Sequence, residues 1–339
     1  MKKFLSVLLT VAMMISMFAC VAMAEETEPF RVAMVTDTGG INDQSFNALA
    51  WQGLQRAESE LGCEVKYFES KTDADYEPNL NTAIDEGYDL IICIGWMMAD
   101  VLAEVAEQNP DQAFAIIDNG SVADNVTGVN FATEQCSYLV GVAAASMTKT
   151  NNVGFVIGMV SPLMNTFGYG FYAGVLDTNP EITIQAYNAN SYGDVAGGKA
   201  ATIQMYTDGA DIVYHAAGGT GLGVIEAAKE QGKLAIGVDQ DQSYLAPEAV
   251  LTSAVKRVDN GVFNLCKAGV EGTLEAGDVM YDLSTGAVDI AETKDLMSEE
   301  AIAAVEAARE KILSGELVVP ATAEAFDAAY GADVYTLDD

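Results

Sequence analysis

The sequence has few of the residues that metal binding and acid–base catalysis use. Its 339 residues include one histidine, His215, and five cysteines, with no CxxC pair among them. Zinc sites and disulfide scaffolds need closely spaced cysteine or histidine residues. His215 closes an apolar run, which favours a buried structural role. We therefore expect no metal, no cofactor and no disulfide framework.

Positive charge is also scarce in this chain. Lys and Arg number 16 against 50 Asp and Glu, so the formal net charge is −34. This excess of acid argues against nucleic acid and anionic lipid headgroups as partners. The sequence has no Walker motif and no basic cluster for a nucleotide, so the ligand is expected to carry no phosphate.

Residues 1–24 have the pattern of an export signal. Lys2 and Lys3 precede an apolar stretch over 4–18, and Ala22-Met23-Ala24 forms a cleavage site before Glu25. Lipid attachment at Cys20 is a rival interpretation, because residues 17–20 loosely resemble a lipobox. Both alternatives predict an exported protein, either periplasmic or at the outer face of the cell membrane. Without Lys2 and Lys3 the formal charge changes from −34 to −36.

The rest of the chain is organised around residues 32–54. A short apolar strand ends at Thr36-Asp37, a loop with Gly39-Gly40 follows, and an amphipathic helix begins near Asn42 and Asp43. A strand end facing a helix N-terminus is the usual ligand site of an open α/β sheet. The loop does not match GxGxxG, so a nucleotide fingerprint is not expected.

Apolar strands alternate with helices along the whole chain, and the pattern occurs twice. Such strands indicate parallel sheets that are covered on both faces. The segment 86–95 parallels 208–217, and 114–118 parallels 234–239, so each half delivers an aspartate at a strand end, Asp118 and Asp239. We expect an α/β fold of two doubly wound parallel-sheet lobes joined by a hinge, which is a periplasmic-binding-protein architecture. Its ligand lies between the lobes.

The expected lobes are formed by separate parts of the chain. Residues 30–131 and 255–290 are assigned to the N-terminal lobe, and residues 132–254 and 291–335 to the C-terminal lobe. Hinges are expected near Phe131 and near Leu251. The segment from Ala321 onward is weakly patterned.

Seven segments of the mature chain resemble one family, in family order. They are TDTGGINDQSFN (36–47), FAIID (114–118), FATEQCSYLVG (131–141), GFYAG (170–174), YHAAGGTG (214–221), IGVDQDQ (236–242) and LTSAVKRVD (251–259). The sequence is thereby identified as a member of the basic membrane protein family of ABC-transporter substrate-binding proteins, and it resembles the purine nucleoside receptors of that family.

The resemblance implies a type I periplasmic-binding-protein fold and roles for particular residues. Phe46 and Tyr192 match the two rings that sandwich the base, and Asp37 matches the aspartate on the base edge. The group that matches the ribose contacts is Asp118, Gly219, Asp239 and Lys256. Further ligand contacts are expected from Asn42, Asp43, Asn47 and Gly218. Tyr192 stands where phenylalanine is usual, and Trp96 stands where a smaller or different aromatic residue is expected, so base preference is left open.

The function expected from this resemblance is capture of purine nucleosides (guanosine, inosine or adenosine) by a monomer that delivers them to an ABC permease, without turnover. The chemistry is consistent, because a flat base stacks on aromatic rings and ribose hydroxyls donate to carboxylates. Two alternatives are capture of another sugar-like or signalling molecule and a nucleoside hydrolase that uses Asp37 and Asp43. A purely structural surface protein is a third. Phe46 also fits a core position, and the Asp118, Asp239 and Lys256 set also fits a structural charge cluster.

Overall fold

The computed structural model describes residues 28–337, so the predicted export signal, with Cys20 and Ala24, lies outside the described residues. Twelve strands and ten α-helices are found in this range. The strands are β1 (Arg31–Val35), β2 (Glu64–Phe68), β3 (Leu90–Ile94), β4 (Ala113–Ile117), β5 (Val126–Phe131), β6 (Asn152–Ile157), β7 (Thr183–Asn188), β8 (Ile212–Ala216), β9 (Leu234–Asp239), β10 (Val250–Lys256), β11 (Gly277–Tyr281) and β12 (Val288–Ile290). The helices are α1 (Phe46–Leu61), α2 (Tyr76–Asp85), α3 (Ala99–Gln108), α4 (Thr133–Met147), α5 (Pro162–Thr178), α6 (Val195–Thr207), α7 (Thr220–Gln231), α8 (Val258–Glu271), α9 (Glu299–Leu313) and α10 (Ala323–Tyr330).

The strands form two six-stranded sheets, one in each lobe. Their orders are β11-β5-β4-β3-β1-β2 and β12-β10-β9-β8-β6-β7. Within the described chain all pairs are parallel except β10 with β12. The central strands β3 and β8 are buried along their whole length, which explains why their sequences, LIICI and IVYHA, do not alternate between apolar and charged residues. The expected architecture of two doubly wound lobes is confirmed.

The chain passes between the two sheets three times within residues 28–337. The crossings follow β5, β10 and β11, whereas the sequence predicted two hinges. The second crossing lies at Arg257, after β10, and not near Leu251, which is buried at the start of that strand. Strand β12 pairs with β10, so residues 288–290 belong to the second sheet and not to the lobe to which 255–290 was assigned. Three residues form too short a pattern to reveal which sheet they join.

Two helices differ from the sequence-based expectation. Helix α1 begins at Phe46, and its N-cap residue is Ser45. This N-cap lies three residues after Asn42 and two after Asp43, the positions near which the sequence predicted the start of the helix. The weakly patterned end of the chain contains α10, which packs on α5 through the buried Phe326. Helix α8 returns to the first lobe and packs on α1, as expected. Among the described helices, none is long and apolar enough to cross a membrane.

Candidate functional site

A cavity lies between the lobes, where the carboxyl ends of both parallel sheets converge. Strands β1, β3 and β4 reach it from the first lobe, and β8, β9 and β10 reach it from the second. Open α/β sheets bind ligands at this edge because loops with free polar groups follow the strands there. The lining residues are Asp37, Gly39, Asp43, Phe46, Asn47, Gly95, Trp96, Asp118, Met164, Phe167, Tyr192, Ala216, Ala217, Gly218, Val238, Asp239 and Lys256.

Two buried aspartates line the cavity in matching positions of the two lobes. Asp118 follows β4 and Asp239 ends β9, and both have a left-handed backbone with φ of 66°. Aspartate tolerates this conformation better than most residues do. The repeat that was visible in the sequence therefore places equivalent carboxylates at equivalent backbone turns.

Lys256, at the end of β10, lies between these two carboxylates. Its Nζ is 2.6 Å from Asp118 Oδ2 and 3.9 Å from Asp239 Oδ1. Burial by itself lowers the pKa of Lys256, but the two carboxylates reverse this and raise that pKa above its usual value. Because a buried charge without a partner is costly, this lysine is what allows two acidic side chains to share a dry site.

Asp239 is held differently from Asp118. Its Oδ2 accepts a hydrogen bond from Ser45 Oγ of the opposite lobe, while its Oδ1 is the atom nearer Lys256. Burial raises the pKa of Asp239 to about 6, although Lys256 opposes the shift. This carboxyl group therefore changes its charge close to neutral pH.

Aromatic rings from both lobes surround the charged group. Lys256 Nζ lies 4.5 Å from the ring centroid of Phe46 and 5.4 Å from that of Phe167. Trp96 Nε1 of the first lobe donates a hydrogen bond to Tyr192 Oη of the second at 3.3 Å. The Tyr192 ring packs on Gly158, where a Cβ atom would come within 2.5 Å of it, so glycine is required there.

The first loop carries a second buried carboxylate pair, Asp37 and Asp43, joined by Asn47. Asn47 Nδ2 donates to Asp37 Oδ1 at 2.7 Å and to Asp43 Oδ2 at 3.0 Å. Asp43 also accepts the backbone N–H groups of Ser45, Asn47 and Ala48, so it caps α1 although it precedes the N-cap position. Burial raises the pKa of Asp37 to about 7.

Nine of the eleven predicted ligand-binding residues line the cavity. The two exceptions are Asn42, which is exposed to solvent, and Gly219, which sits at the start of α7 beside Tyr192. Predicted residues that line the cavity are Asp37, Asp43, Phe46, Asn47, Asp118, Tyr192, Gly218, Asp239 and Lys256. No group of three or more His, Cys, Asp or Glu residues is arranged to hold a metal ion in residues 28–337.

Sequence reasoning missed several apolar lining residues. Met164 and Phe167 lie on α5, a helix that is apolar nearly all round, so no single position stands out as facing a ligand. A usable signal exists for Ala216 and Ala217, since they directly precede the predicted Gly218. The other lining residues that were not predicted as ligand contacts are Gly39, Gly95, Trp96 and Val238.

Two hinged α/β lobes around one polar and aromatic cavity define a substrate-binding protein of the periplasmic type. The Bmp family model, described as ABC transporter substrate-binding protein PnrA-like, matches residues 30–323. The chain belongs to this family.

Known relatives and solved structures agree with this assignment. The chain is 40% identical over 291 residues to the CD4+ T-cell-stimulating antigen of Listeria monocytogenes, covering 79% of this chain and 82% of that protein. It is 38% identical over 284 residues to the ABC transporter nucleoside-binding protein BmpA of Lactococcus lactis, covering 77% of this chain and 81% of that protein. The structure of a solute-binding protein of an ABC transporter system from Aeropyrum pernix superposes with a TM-score of 0.81 at 28% identity. The match covers 88% of this chain and 96% of the Aeropyrum chain.

Family membership establishes the general role of the chain. It is the substrate-binding component of an ABC transporter, with a small-molecule ligand and a membrane permease as partners. Proteins of this class work on the extracytoplasmic side of the membrane. The family is described as substrate-binding, the Lactococcus relative as nucleoside-binding and the Aeropyrum protein as solute-binding.

Proposed function

We propose that the cavity binds a purine nucleoside, which the protein delivers to its permease. The observation that carries the proposal is the combination of two unlike surfaces in one enclosed space. Paired carboxylates bridged by Lys256 lie beside the aromatic rings of Phe46, Phe167, Trp96 and Tyr192. A nucleoside is a molecule that needs both surfaces, because it joins a hydroxyl-rich sugar to a flat heterocycle.

The sugar is proposed to meet Asp118, Asp239 and Lys256. Vicinal hydroxyls donate to carboxylates and accept from an ammonium group, and such charge-assisted bonds are stronger than neutral ones. Since Asp118 comes from one lobe and Asp239 from the other, a single ribose would contact both. Ligand binding would then favour the closed arrangement of the lobes.

The base is proposed to lie among the aromatic residues, with Asp37 facing its edge. Stacking on an aromatic ring contributes about 1–3 kcal/mol per base. The Lactococcus relative BmpA is named a nucleoside-binding protein, which supports the same ligand class.

Titration calorimetry of refolded, ligand-free protein tests the proposal. The panel consists of guanosine, inosine, adenosine, the free bases and ribose, and refolding removes any ligand that copurifies. We expect sub-micromolar binding of at least one purine nucleoside, with bases and ribose far weaker. Binding of a sugar without a base would retain the fold and reject the nucleoside. If chromatography of the titrated sample detects free base released from the nucleoside, the protein is a hydrolase instead.

We further propose that the exported protein is held at the outer face of the cell membrane by lipid on Cys20, or is released after cleavage behind Ala24. Both residues belong to the segment that precedes the described chain. The intact mass of the exported protein distinguishes the two, because lipidation retains Cys20 and adds acyl chains, whereas cleavage leaves Glu25 as the first residue.

A further inference from the structure

A second set of contacts joins the lobes outside the cavity. Gln44, in the loop before α1, meets three residues of the loop after β9. Its backbone carbonyl accepts from Gln240 Nε2 at 2.9 Å and from Gln242 Nε2 at 3.0 Å. Its side-chain Oε1 accepts from Tyr244 Oη at 2.9 Å. We call Gln44, Gln240, Gln242 and Tyr244 the latch residues; none of the four lines the cavity described above.

The backbone of Gln44 has an unfavourable conformation that these contacts explain. Its φ is +54°, in the left-handed region that residues other than glycine, asparagine and aspartate rarely adopt. Such a conformation persists where the surroundings compensate for it. Here it accompanies a carbonyl oxygen that accepts two side-chain amides of the opposite lobe.

Gln242 is anchored in the core of the second lobe, so its amide has one orientation. Its Oε1 accepts from Val238 N at 3.0 Å and lies 3.1 Å from His215 Nε2. Because the Val238 N–H can only donate, this end of the amide must be the oxygen, and the NH₂ group is directed to Gln44. His215 therefore carries its proton on Nε2 and serves to position Gln242.

The latch lies directly beside the cavity. Ser45 follows Gln44 and donates to Asp239, and Gln240 follows Asp239. A separation of the lobes that breaks the Gln44 contacts would also withdraw Ser45 from Asp239. The latch thus couples closure of the lobes to the orientation of a carboxylate that faces the ligand.

We propose that the latch residues hold the closed lobes together independently of the ligand. They thereby set the residence time of a bound molecule. Loss of latch contacts leaves the cavity lining intact and favours the open arrangement. Dissociation of the ligand becomes faster, and association, which starts from the open arrangement, is not slowed because that arrangement becomes more populated. The rate effect on a nucleoside rests on the proposed function, whereas the effect on lobe closure does not.

The test uses the double substitution Gln240→Ala with Tyr244→Phe, which removes two of the three bonds to Gln44. Tyr244 is more than half exposed and Gln240 is half-buried, so the fold is expected to tolerate both changes. The matched control is Gln204→Ala with Tyr187→Phe, two surface changes of the same types in the same lobe. Gln44→Gly is a second variant, which keeps the carbonyl but removes the contact with Tyr244.

Two measurements are made on each variant: stopped-flow dissociation of inosine and small-angle scattering of the ligand-free protein. We expect roughly tenfold faster dissociation from the double variant, the effect of one to two hydrogen bonds, and a larger radius of gyration than in the control. Equal dissociation rates and equal radii for variant and control would overturn the proposal. If the unsubstituted protein binds no nucleoside, the proposed function fails, and scattering alone decides whether the latch exists.

Discussion

Asp239 combines three contacts at the site. It faces Lys256, accepts a hydrogen bond from Ser45 and lines the cavity. Its partner Asp118 has one short ion pair with the same lysine. The two carboxylates have equal backbone conformations but unequal surroundings. We therefore expect them to contribute unequally to binding, and to be separable by substitution.

Replacing Asp239 with asparagine removes the charge and keeps the shape. Asparagine can still accept from Ser45, so the loss falls on charge-assisted bonds to the ligand, which contribute about 1.5–3 kcal/mol each. We expect nucleoside affinity to fall by about 10- to 100-fold in titration calorimetry. Asp208→Asn, an exposed change in the same lobe, is the control and should have no effect. An unchanged affinity for Asp239→Asn would remove this residue from the site.

Tyr192 can be examined by removing its hydroxyl and its ring separately. Tyr192→Phe loses the bond with Trp96 and should weaken nucleoside binding by less than about tenfold. Tyr192→Ala also loses the stacking surface, and we expect a further loss of about 1–3 kcal/mol in calorimetric binding free energy. Thermal unfolding of Tyr192→Phe should remain close to that of the parent, whereas Tyr192→Ala should lower the unfolding temperature without abolishing the fold, because the ring is buried. A collapse of the fold on Tyr192→Ala would make this residue part of the core instead.

At the scale of the elements, the two helices α4 and α5 pack unusually closely. Gly141 of α4 and Gly170 and Gly174 of α5 face the opposite helix backbone, and a Cβ on Gly174 would lie 2.1 Å from Tyr138 O. Helix α5 also supplies Met164 and Phe167 to the cavity. The position of one wall of the cavity therefore depends on this glycine contact.

Gly174→Ala should separate these helices. Overpacking of this kind typically costs about 1–3 kcal/mol, so we expect a lower free energy of unfolding in denaturant titrations. Nucleoside affinity should fall as well, since Phe167 moves with α5. Ser146→Ala, an exposed change on α4, serves as the control. Unchanged stability of Gly174→Ala would show that the helices adjust without cost.

Over the whole molecule, pH is expected to act on stability and binding in opposite directions. Burial raises the pKa values of Asp37 and Glu134 to about 7 and that of Asp239 to about 6. The folded protein therefore binds protons at a pH where the unfolded chain does not, and the free energy of unfolding rises as pH falls from 8 towards 5. Burial lowers the pKa of His215 to about 4, which opposes this trend below about pH 6.5.

Binding should weaken over the same range. Protonated Asp37 and Asp239 no longer attract ligand N–H and O–H donors as carboxylates do, so affinity falls from pH 8 to pH 5. Thermal unfolding and calorimetric titration at constant ionic strength measure the two trends. In the Asp239→Asn variant, the loss of affinity near pH 6 should be smaller than in the parent protein. This difference would identify Asp239 as the group whose protonation weakens binding. Stability and affinity that fall together would contradict this account.

Much of the molecule followed from local patterns in the sequence. The alternation of apolar strands with helices predicted two parallel-sheet lobes, because apolar runs bounded by turn residues are a short-range signal. The duplicated strand-plus-aspartate pattern placed Asp118 and Asp239 at equivalent strand ends. The sequence resemblance added Phe46, Tyr192 and Lys256, all of which line the cavity.

Other features were decided by tertiary structure alone. The pairing of β12 with β10, the Met164 and Phe167 wall and the Gln44 contacts join segments that are far apart in the chain. No local period reveals such a contact, because α5 is apolar nearly all round and Gln44 is an ordinary polar loop residue in the sequence. The sequence by itself determined two lobes with a carboxylate at each strand end. How those lobes contact each other depends on residues that are distant in sequence and adjacent only in the folded chain.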